Sequence, residues 1–169
     1  MDNIVIDLNY AKKQRESILS NEECNTNTNS QLEIFSVPMK YIIDFHLNLG
    51  FFILNLNEDF SDKYVREVLL EDLISILNRM SDIAIFLDID LISEIPKKET
   101  EVDDLEIILN SLFNHVSMLN LKKETARLKI RSRIIPLFAQ LVYSSGFSLE
   151  ELKEYYNKQN SEDAYELKA

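Results

Sequence analysis

One long stripe of apolar side chains constrains the fold of this chain more than any other feature. Between Ser61 and Leu87 the apolar residues recur every three or four positions, which is the spacing of one face of an α-helix. The stripe consists of Val65, Leu69, Leu73, Leu77, Met80, Ala84 and Leu87. The chain has two glycines and three prolines among its 169 residues, too few turn residues for a many-stranded sandwich or barrel. We therefore predict an all-α protein, a single domain over residues 1–169 that folds as a bundle of five to six helices.

Similar spacing predicts two helices before this stripe. The first spans residues 4–19, and the polar, aperiodic stretch 21–31 that follows predicts a flexible loop. The second helix begins at Ser36 and has an almost entirely apolar body, which is typical of a helix buried in a bundle or at a dimer interface. Gly50, in the middle of that body, predicts the close approach of a neighbouring backbone.

The second half of the chain continues the bundle. Residues 88–104 are predicted as a connection, because Pro96 and alternating charges interrupt the apolar pattern. A fourth helix is predicted over residues 102–119. A fifth is predicted over residues 122–143, and Pro136 is expected to kink or divide it.

The last helix has clear boundary signals in the sequence. Gly146 suits the left-handed conformation that ends the preceding helix. Ser148 and Glu151 have the spacing of a capping box, which begins the next helix. We predict that this helix ends near Asn160 and is followed by a short polar tail.

The charge balance excludes several classes of partner. Lys plus Arg is 18 and Asp plus Glu is 29, so the formal net charge is -11, which disfavours direct binding to nucleic acid or to an anionic membrane.

The one cysteine, Cys24, excludes an intrachain disulfide. No segment has the apolar length of a membrane span or the pattern of a secretory signal, so we expect a cytoplasmic protein.

Two segments of the chain resemble a known enzyme family. They are residues 66–91, REVLLEDLISILNRMSDIAIFLDIDL, and residues 146–160, GFSLEELKEYYNKQN. They resemble the third helix and the C-terminal region of the dimeric all-α dUTPases, relatives of the MazG-like nucleoside triphosphate pyrophosphohydrolases. The resemblance implies an all-α NTP pyrophosphatase-like bundle, a homodimer, and Mg²⁺-dependent hydrolysis of a nucleotide such as dUTP.

That family binds its metal ions with acids on two facing helices, a Glu-x-x-Glu pair on one and a Glu-Glu-x-x-Asp motif on the next. Acids three or four residues apart share a helix face, so two such faces can hold two Mg²⁺ ions. In this chain Glu71 and Asp72 match the first two acids of the second motif, and the resemblance makes them the candidate metal ligands. Ser75 stands where the family has the final Asp.

The other functional positions of the family differ more strongly in this chain. The Glu-x-x-Glu positions fall near His46 and Leu49, and Asp44 is the nearest acid in that helix. Near the C-terminus Lys158 matches a basic residue of the family, while Gln159 stands where the family usually has Asn. The resemblance makes Lys158 and Gln159 the candidate nucleotide-binding residues, and we assign no catalytic residue. Mg²⁺ is expected only if activity is retained.

Three functions are compatible with these residues. The first is a dUTPase-like homologue that has lost metal-dependent catalysis and acts as a binding or regulatory protein. The second is an active Mg²⁺-dependent pyrophosphatase, such as a dUTPase, with a rearranged site that uses Asp44 or Glu58 as a further ligand. The third is an acidic helical adaptor that binds a basic protein. A homodimer is expected under all three, and a nucleotide such as dUTP or a second protein is the further partner.

Several other side chains have simpler structural interpretations. His46, in an apolar helix, is predicted to be a hydrogen-bonded core residue, and His115 has no neighbouring pattern that indicates a triad. Asp88 and Asp90 are predicted to be solvated. Three aromatic residues of the second helix are either core residues or the lining of a nucleotide pocket. These residues are Phe45, Phe51 and Phe52.

Overall fold

A computed structural model of the protein describes residues 2–22, 37–56, 63–97, 104–120 and 122–166, with the backbone alone at 21–22 and 162–166. The described residues are mostly helical, which confirms the predicted class. The helices are α1 Asn9–Glu22, α2 Met39–Asn55, α3 Lys63–Leu87, α4 Leu105–Ser117, α5 Lys123–Lys129, α6 Ile135–Ser144 and α7 Leu149–Glu166. A π-helical turn, Ile130–Ile134, joins α5 to α6. When α5, the turn and α6 are counted as one helix, the described part of the chain contains six helices and one small sheet.

The centre of the bundle is α3, which packs against α1, α2 and α7. Every residue of the predicted apolar stripe is buried. The C-terminal half of α3 is buried on further sides and includes the carboxylate of Asp82. Arg15 of α1 makes a two-pronged contact with Asp82, with nitrogen–oxygen distances of 2.8 and 3.2 Å, and Arg79 approaches it to 3.5 Å. The buried charge is therefore compensated within the bundle.

Two predicted segments, the helix over residues 4–19 and the connection over residues 88–104, differ from the structure because a strand lies in or overlaps each of them. Asn3–Asp7 forms β1 and Ile92–Pro96 forms β2, and the two pair antiparallel. The predictions of a helix from residue 4 and of an irregular connection over residues 88–104 are therefore wrong at these residues. In β1 the side chain of Ile6 is buried and that of Val5 is exposed, which is the alternation of a half-buried strand.

The ribbon is tied to the helix that follows β1. The backbone amide of Asn9 donates to Asp7 Oδ1 at 3.0 Å. Asn9 Oδ1 in turn accepts from the backbone amide of Leu91 at 2.8 Å, just before β2. These bonds hold the start of α1 beside the second strand, and α1 consequently begins at Asn9 and continues to Glu22.

Several predicted features lie outside the described residues. They include Ser36 and Ser61, where the second helix and the long apolar stripe were predicted to begin, the loop residues 23–31 with Cys24, and the alternative ligand Glu58. Within the described part of the chain, α2 begins directly after Pro38 without a side-chain cap. The start of α4 is capped by Asp104, whose side chain accepts from the backbone amide of Glu106 at 3.1 Å.

The fifth predicted helix is irregular just before Pro136, where a kink or division was expected. The π-helical turn Ile130–Ile134 comes directly before α6, and Pro136 lies in the first turn of α6. Proline has no backbone N–H, and its ring clashes with the carbonyl four residues earlier in a regular α-helix. The wider π turn accommodates both effects without ending the helix.

The boundary of α7 also matches its sequence signals. Gly146 has a φ of 85°. Ser148 Oγ accepts from the amide of Glu151 at 3.1 Å, and the amide of Ser148 donates to Glu151 Oε2 at 2.8 Å, which completes the capping box. The helix continues to Glu166, beyond the end predicted near Asn160, where the sequence was expected to become a polar tail.

The prediction for Gly50 is wrong. A Cβ atom added at this residue would meet no heavy atom of the described residues within 4 Å, so no backbone in that part of the chain packs closely against it. Gly50 lies on the outer side of α2.

No helix among the described residues combines the length and apolar content needed to cross a bilayer.

The two glycines provide a matched test of this fold. We expect Gly146→Ala to lower the free energy of unfolding by about 1 kcal/mol, because only glycine adopts a positive φ without strain. For the chain as a monomer, at low protein concentration, we expect Gly50→Ala to raise it by about 1 kcal/mol, because alanine is the better helix former and the site is open within the chain described. Urea denaturation of both variants measures these changes. The same sign of change for both would contradict the backbone conformation described above.

Candidate functional site

The two candidate metal ligands lie side by side on α3 but contact different helices. Glu71 is exposed, and its Oε1 atom accepts a long hydrogen bond of 3.4 Å from the hydroxyl of Tyr155 on α7. Asp72 is partly buried, and its Oδ2 atom accepts from Asn55 Nδ2 on α2 at 2.7 Å. The two neighbouring carboxylates therefore accept hydrogen bonds from different helices, α7 for Glu71 and α2 for Asp72.

The residues on α2 that the resemblance aligns with the acid pair have structural roles in this chain. Leu49 is completely buried in the core. The Nε2 atom of His46 lies 3.2 Å from the backbone oxygen of Phe113 on α4, so this histidine is hydrogen-bonded, as predicted, but it is partly buried instead of lying in the core. The side chain that α2 presents to Asp72 is the amide of Asn55.

Burial is the main influence on the carboxyl of Asp72. It raises the pKa of Asp72 above the ordinary value of 3.8, because it disfavours the charged form. The hydrogen bond from Asn55 opposes this by stabilising the carboxylate, and the neighbouring charge of Glu71 adds to the rise. The carboxyl therefore has a partner suited to holding one negative charge in place.

These donors do not fit a two-metal centre. Mg²⁺ requires a near-octahedral set of oxygen ligands. Ser75, at the third family position on α3, donates its hydroxyl to the backbone oxygen of Glu71 at 3.0 Å. Within the described ranges, no group of three or more His, Cys, Asp or Glu side chains lies close enough to hold a metal ion.

The candidate nucleotide-binding residues lie on α7, next to a cleft between α7 and the start of α3. Lys158 lines this cleft of about 530 Å³, together with Arg66 and Tyr155. The guanidinium of Arg66 stacks over the ring of Phe147 at 4.6 Å. Gln159 is partly buried and follows Tyr155 by four residues, on the same side of α7. Lys158 and Glu71 are thus close to the same tyrosine, whereas Asp72 faces α2.

The outer side of α2 is an exposed apolar face. The residues Met39, Ile43, Leu47, Phe51 and Leu54 are each more than half exposed. Together with His46, Gly50 and Ile53, part of this face borders a shallow groove of about 490 Å³. The aromatic residues of α2 therefore divide: Phe45 and Phe52 are core residues, and Phe51 belongs to the outer face. We call these five exposed residues the α2 outer face.

A basic cluster is the feature that the sequence interpretation missed. Lys129 Nζ lies 3.4 Å from His115 Nδ1. Burial lowers the pKa of His115, and the positive charges of Lys129 and Arg133 lower it further. A signal was present in the sequence, because residues 122–133 contain six Lys or Arg and one Glu in a chain with an excess of acids.

The acids after α3 show no such convergence. Asp90 is exposed and lies 3.8 Å from Lys12 Nζ. Asp88 is also exposed, with a φ of 54°. Both carboxylates are accessible to solvent, as predicted.

Comparison with known proteins adds no relative to this description: no family model, curated protein or solved structure matches the chain.

The environment of Asp72 predicts a pH-dependent effect on stability. A raised pKa in the folded protein means that ionisation of Asp72 destabilises the fold as the pH rises above about 3.8. We therefore expect the stability of Asp72→Asn, relative to the unmodified protein, to increase between pH 3 and pH 7. Urea denaturation across this range measures the difference. A larger effect from Glu67→Gln, at an exposed position of the same helix, or a difference that does not vary with pH, would contradict this account.

Proposed function

We propose that this chain is an all-α NTP pyrophosphatase-like protein, similar to the dimeric dUTPases, that has lost metal-dependent hydrolysis and acts as a binding or regulatory protein in the cytoplasm. The observation that carries the proposal is the hydrogen bond of 2.7 Å between Asn55 and Asp72. At this contact between α2 and α3, an amide instead of a second acid faces the carboxylate.

The chemistry of hydrolysis explains why this contact matters. In such hydrolysis several carboxylates hold two Mg²⁺ ions. The ions would activate water and neutralise negative charge on the triphosphate. Clustered carboxylates repel one another when the metal is absent, and burying them is costly. An amide donor opposite Asp72, with Leu49 packed in the core nearby along α2, removes that repulsion. The same changes remove ligands that catalysis requires.

A pyrophosphate-release assay tests the loss of catalysis. With Mg²⁺ or Mn²⁺ and dUTP, dCTP or the other common nucleoside triphosphates, we expect no release above the rate without protein. The alternative of an active enzyme with a rearranged site predicts turnover that Asp72→Ala abolishes. Turnover of that kind would overturn the proposal, and Asp44→Ala would then test whether α2 supplies a further ligand.

The α2 outer face suggests how binding occurs, and we infer that a second copy of the chain packs against it. Its exposed side chains present roughly several hundred Å² of apolar surface, a large part of the about 800 Å² that one partner contributes to a standard interface. None of its five residues is charged, so two copies of a chain with a net charge of -11 can meet here without bringing acids together.

Gly50 gives this inference a geometric basis. It lies beside Leu47, Phe51 and Leu54 in the same groove, and no atom of the described residues fills the space next to it. A glycine inside a helix costs about 1 kcal/mol relative to alanine, and no contact from the described part of the chain compensates for this cost. A notch between apolar side chains is the shape that receives a side chain from a second helix.

Sedimentation equilibrium tests the second copy. We expect a dimer for the unmodified protein and a monomer for Leu47→Asp, because the substitution places a charge in the centre of the α2 outer face. Leu128→Asp is the matched control, because Leu128 is 67% exposed on α5, and it should remain dimeric. A monomeric unmodified protein, or a Leu47→Asp variant that stays dimeric, would contradict the inference.

A further inference from the structure

A basic surface stands apart from the acidic remainder of the molecule. It lies on α5 and the π-helical turn, within residues 122–133, where six Lys or Arg accompany one Glu. The ion pairs found among the described residues are formed by Lys12, Arg15 and Arg79. No Lys or Arg of residues 122–133 takes part in these ion pairs. The positive charge of this surface is therefore not paired with an acid within the described part of the chain.

One basic side chain of this surface, Lys129, meets His115 of α4. The ammonium group of Lys129 lies 3.4 Å from His115 Nδ1 and 3.6 Å from the sulfur of Met118. Arg133 follows Lys129 by four residues, and its charge also acts on His115. Burial and the two cations favour the neutral imidazole, which can then accept a hydrogen bond from Lys129. The cluster thus joins α4 to the start of the divided helix without using an acid.

The π-helical turn presents more of this surface to solvent. Arg131, Ser132 and Arg133 are three successive exposed residues within it, whereas Ile130 and Ile134 on its other side are buried. π-helical turns recur at functional sites, because they alter the direction of neighbouring side chains.

The turn is held in place by the small sheet. Ser93 of β2 donates its hydroxyl to the backbone oxygen of Arg131 at 2.7 Å. The backbone that carries the two exposed arginines is therefore fixed by a neighbouring strand, and the basic groups are positioned by the fold itself.

We propose that His115, Lys129 and Arg133 form a binding site for the phosphate group of a small ligand. A guanidinium offers parallel N–H donors that match two phosphate oxygens, and an ammonium adds a compact positive charge. A phosphate dianion would relieve the repulsion among the three bases, and His115 could take up a proton from solvent and become a third charged donor. The net charge of -11 opposes the approach of a polyanion, which favours a small phosphate compound over nucleic acid.

Proton NMR of the two histidines tests this site directly. The chain has His115 and His46 only, and His46 on α2 provides an internal control. We expect inorganic phosphate, added at constant ionic strength, to shift the His115 resonances in a saturable way and to raise the pH at which this imidazole titrates. The His46 resonances should not change. A phosphorylated small compound should act in the same way as inorganic phosphate.

Charge-removing variants assign the effect to the cluster. Arg133→Gln and Lys129→Gln should each weaken phosphate binding by about tenfold, the usual consequence of losing one charged hydrogen bond. Lys13→Gln, at an exposed position of α1, makes the same change of charge and should leave the affinity unaltered. Circular dichroism confirms that each variant is folded.

Three results would overturn the proposal. They are an unchanged His115 spectrum at tens of millimolar phosphate, an equal loss of affinity in Lys13→Gln, and tighter binding of a single-stranded DNA oligonucleotide than of phosphate. The last result would identify the surface as a nucleic-acid site instead. None of these results bears on the proposed loss of hydrolysis, because the basic cluster and the Asn55–Asp72 contact share no residue.

Discussion

The packing of α3 against α1, α2 and α7 determines what the acids on this helix can do. Consecutive residues of an α-helix diverge by about 100°, so a helix with neighbours on several sides directs two adjacent side chains to different partners. Glu71 accordingly contacts Tyr155 of α7, and Asp72 contacts Asn55 of α2. Acids three or four residues apart lie on one helix face and can hold a metal ion together. Ser75 stands three residues after Asp72 and four after Glu71, and its hydroxyl bonds within its own helix. Glu67, four residues before Glu71, is exposed on the side of α3 that lines the cleft with α7.

The fold could be predicted where local sequence determines it. The stripe of α3, the interruption before Pro136 and the capping box at Ser148 each depend on residues within one or two turns of one another, and all three are present. The ribbon could not be predicted in this way. Its strands pair Asn3 with Pro96 and Asp7 with Ile92, and pairing between distant segments leaves little trace in a single sequence. Ile4, Leu8 and Ala11 also have the spacing of a helix by coincidence.

The candidate site could be predicted in part. Comparison with the dUTPase motifs indicated that this chain lacks several of their acids. The hydrogen-bonding partner of Asp72, however, depends on how α2 and α3 align, which residue spacing within either helix does not specify. The exposure of Gly50 could not be predicted for a similar reason. The apolar body of α2 indicates that the helix is buried, but it does not indicate whether this chain or another molecule covers it. The basic cluster joins His115 of α4 to Lys129 across two helices. The overall excess of acid concealed it, since a net charge does not describe how charges are distributed.

We propose that the contact between α2 and α3 is a hydrogen-bonded, packed interface that does not hold a metal ion. Calorimetric titration of Mn²⁺ into the protein saturated with a non-hydrolysable dUTP analogue measures this most directly, with the analogue alone as the reference. The account predicts no Mn²⁺ binding beyond that of the free analogue, and no difference between the unmodified protein and Asp72→Ala. One or two additional Mn²⁺ ions per chain, lost in Asp72→Ala, would contradict it.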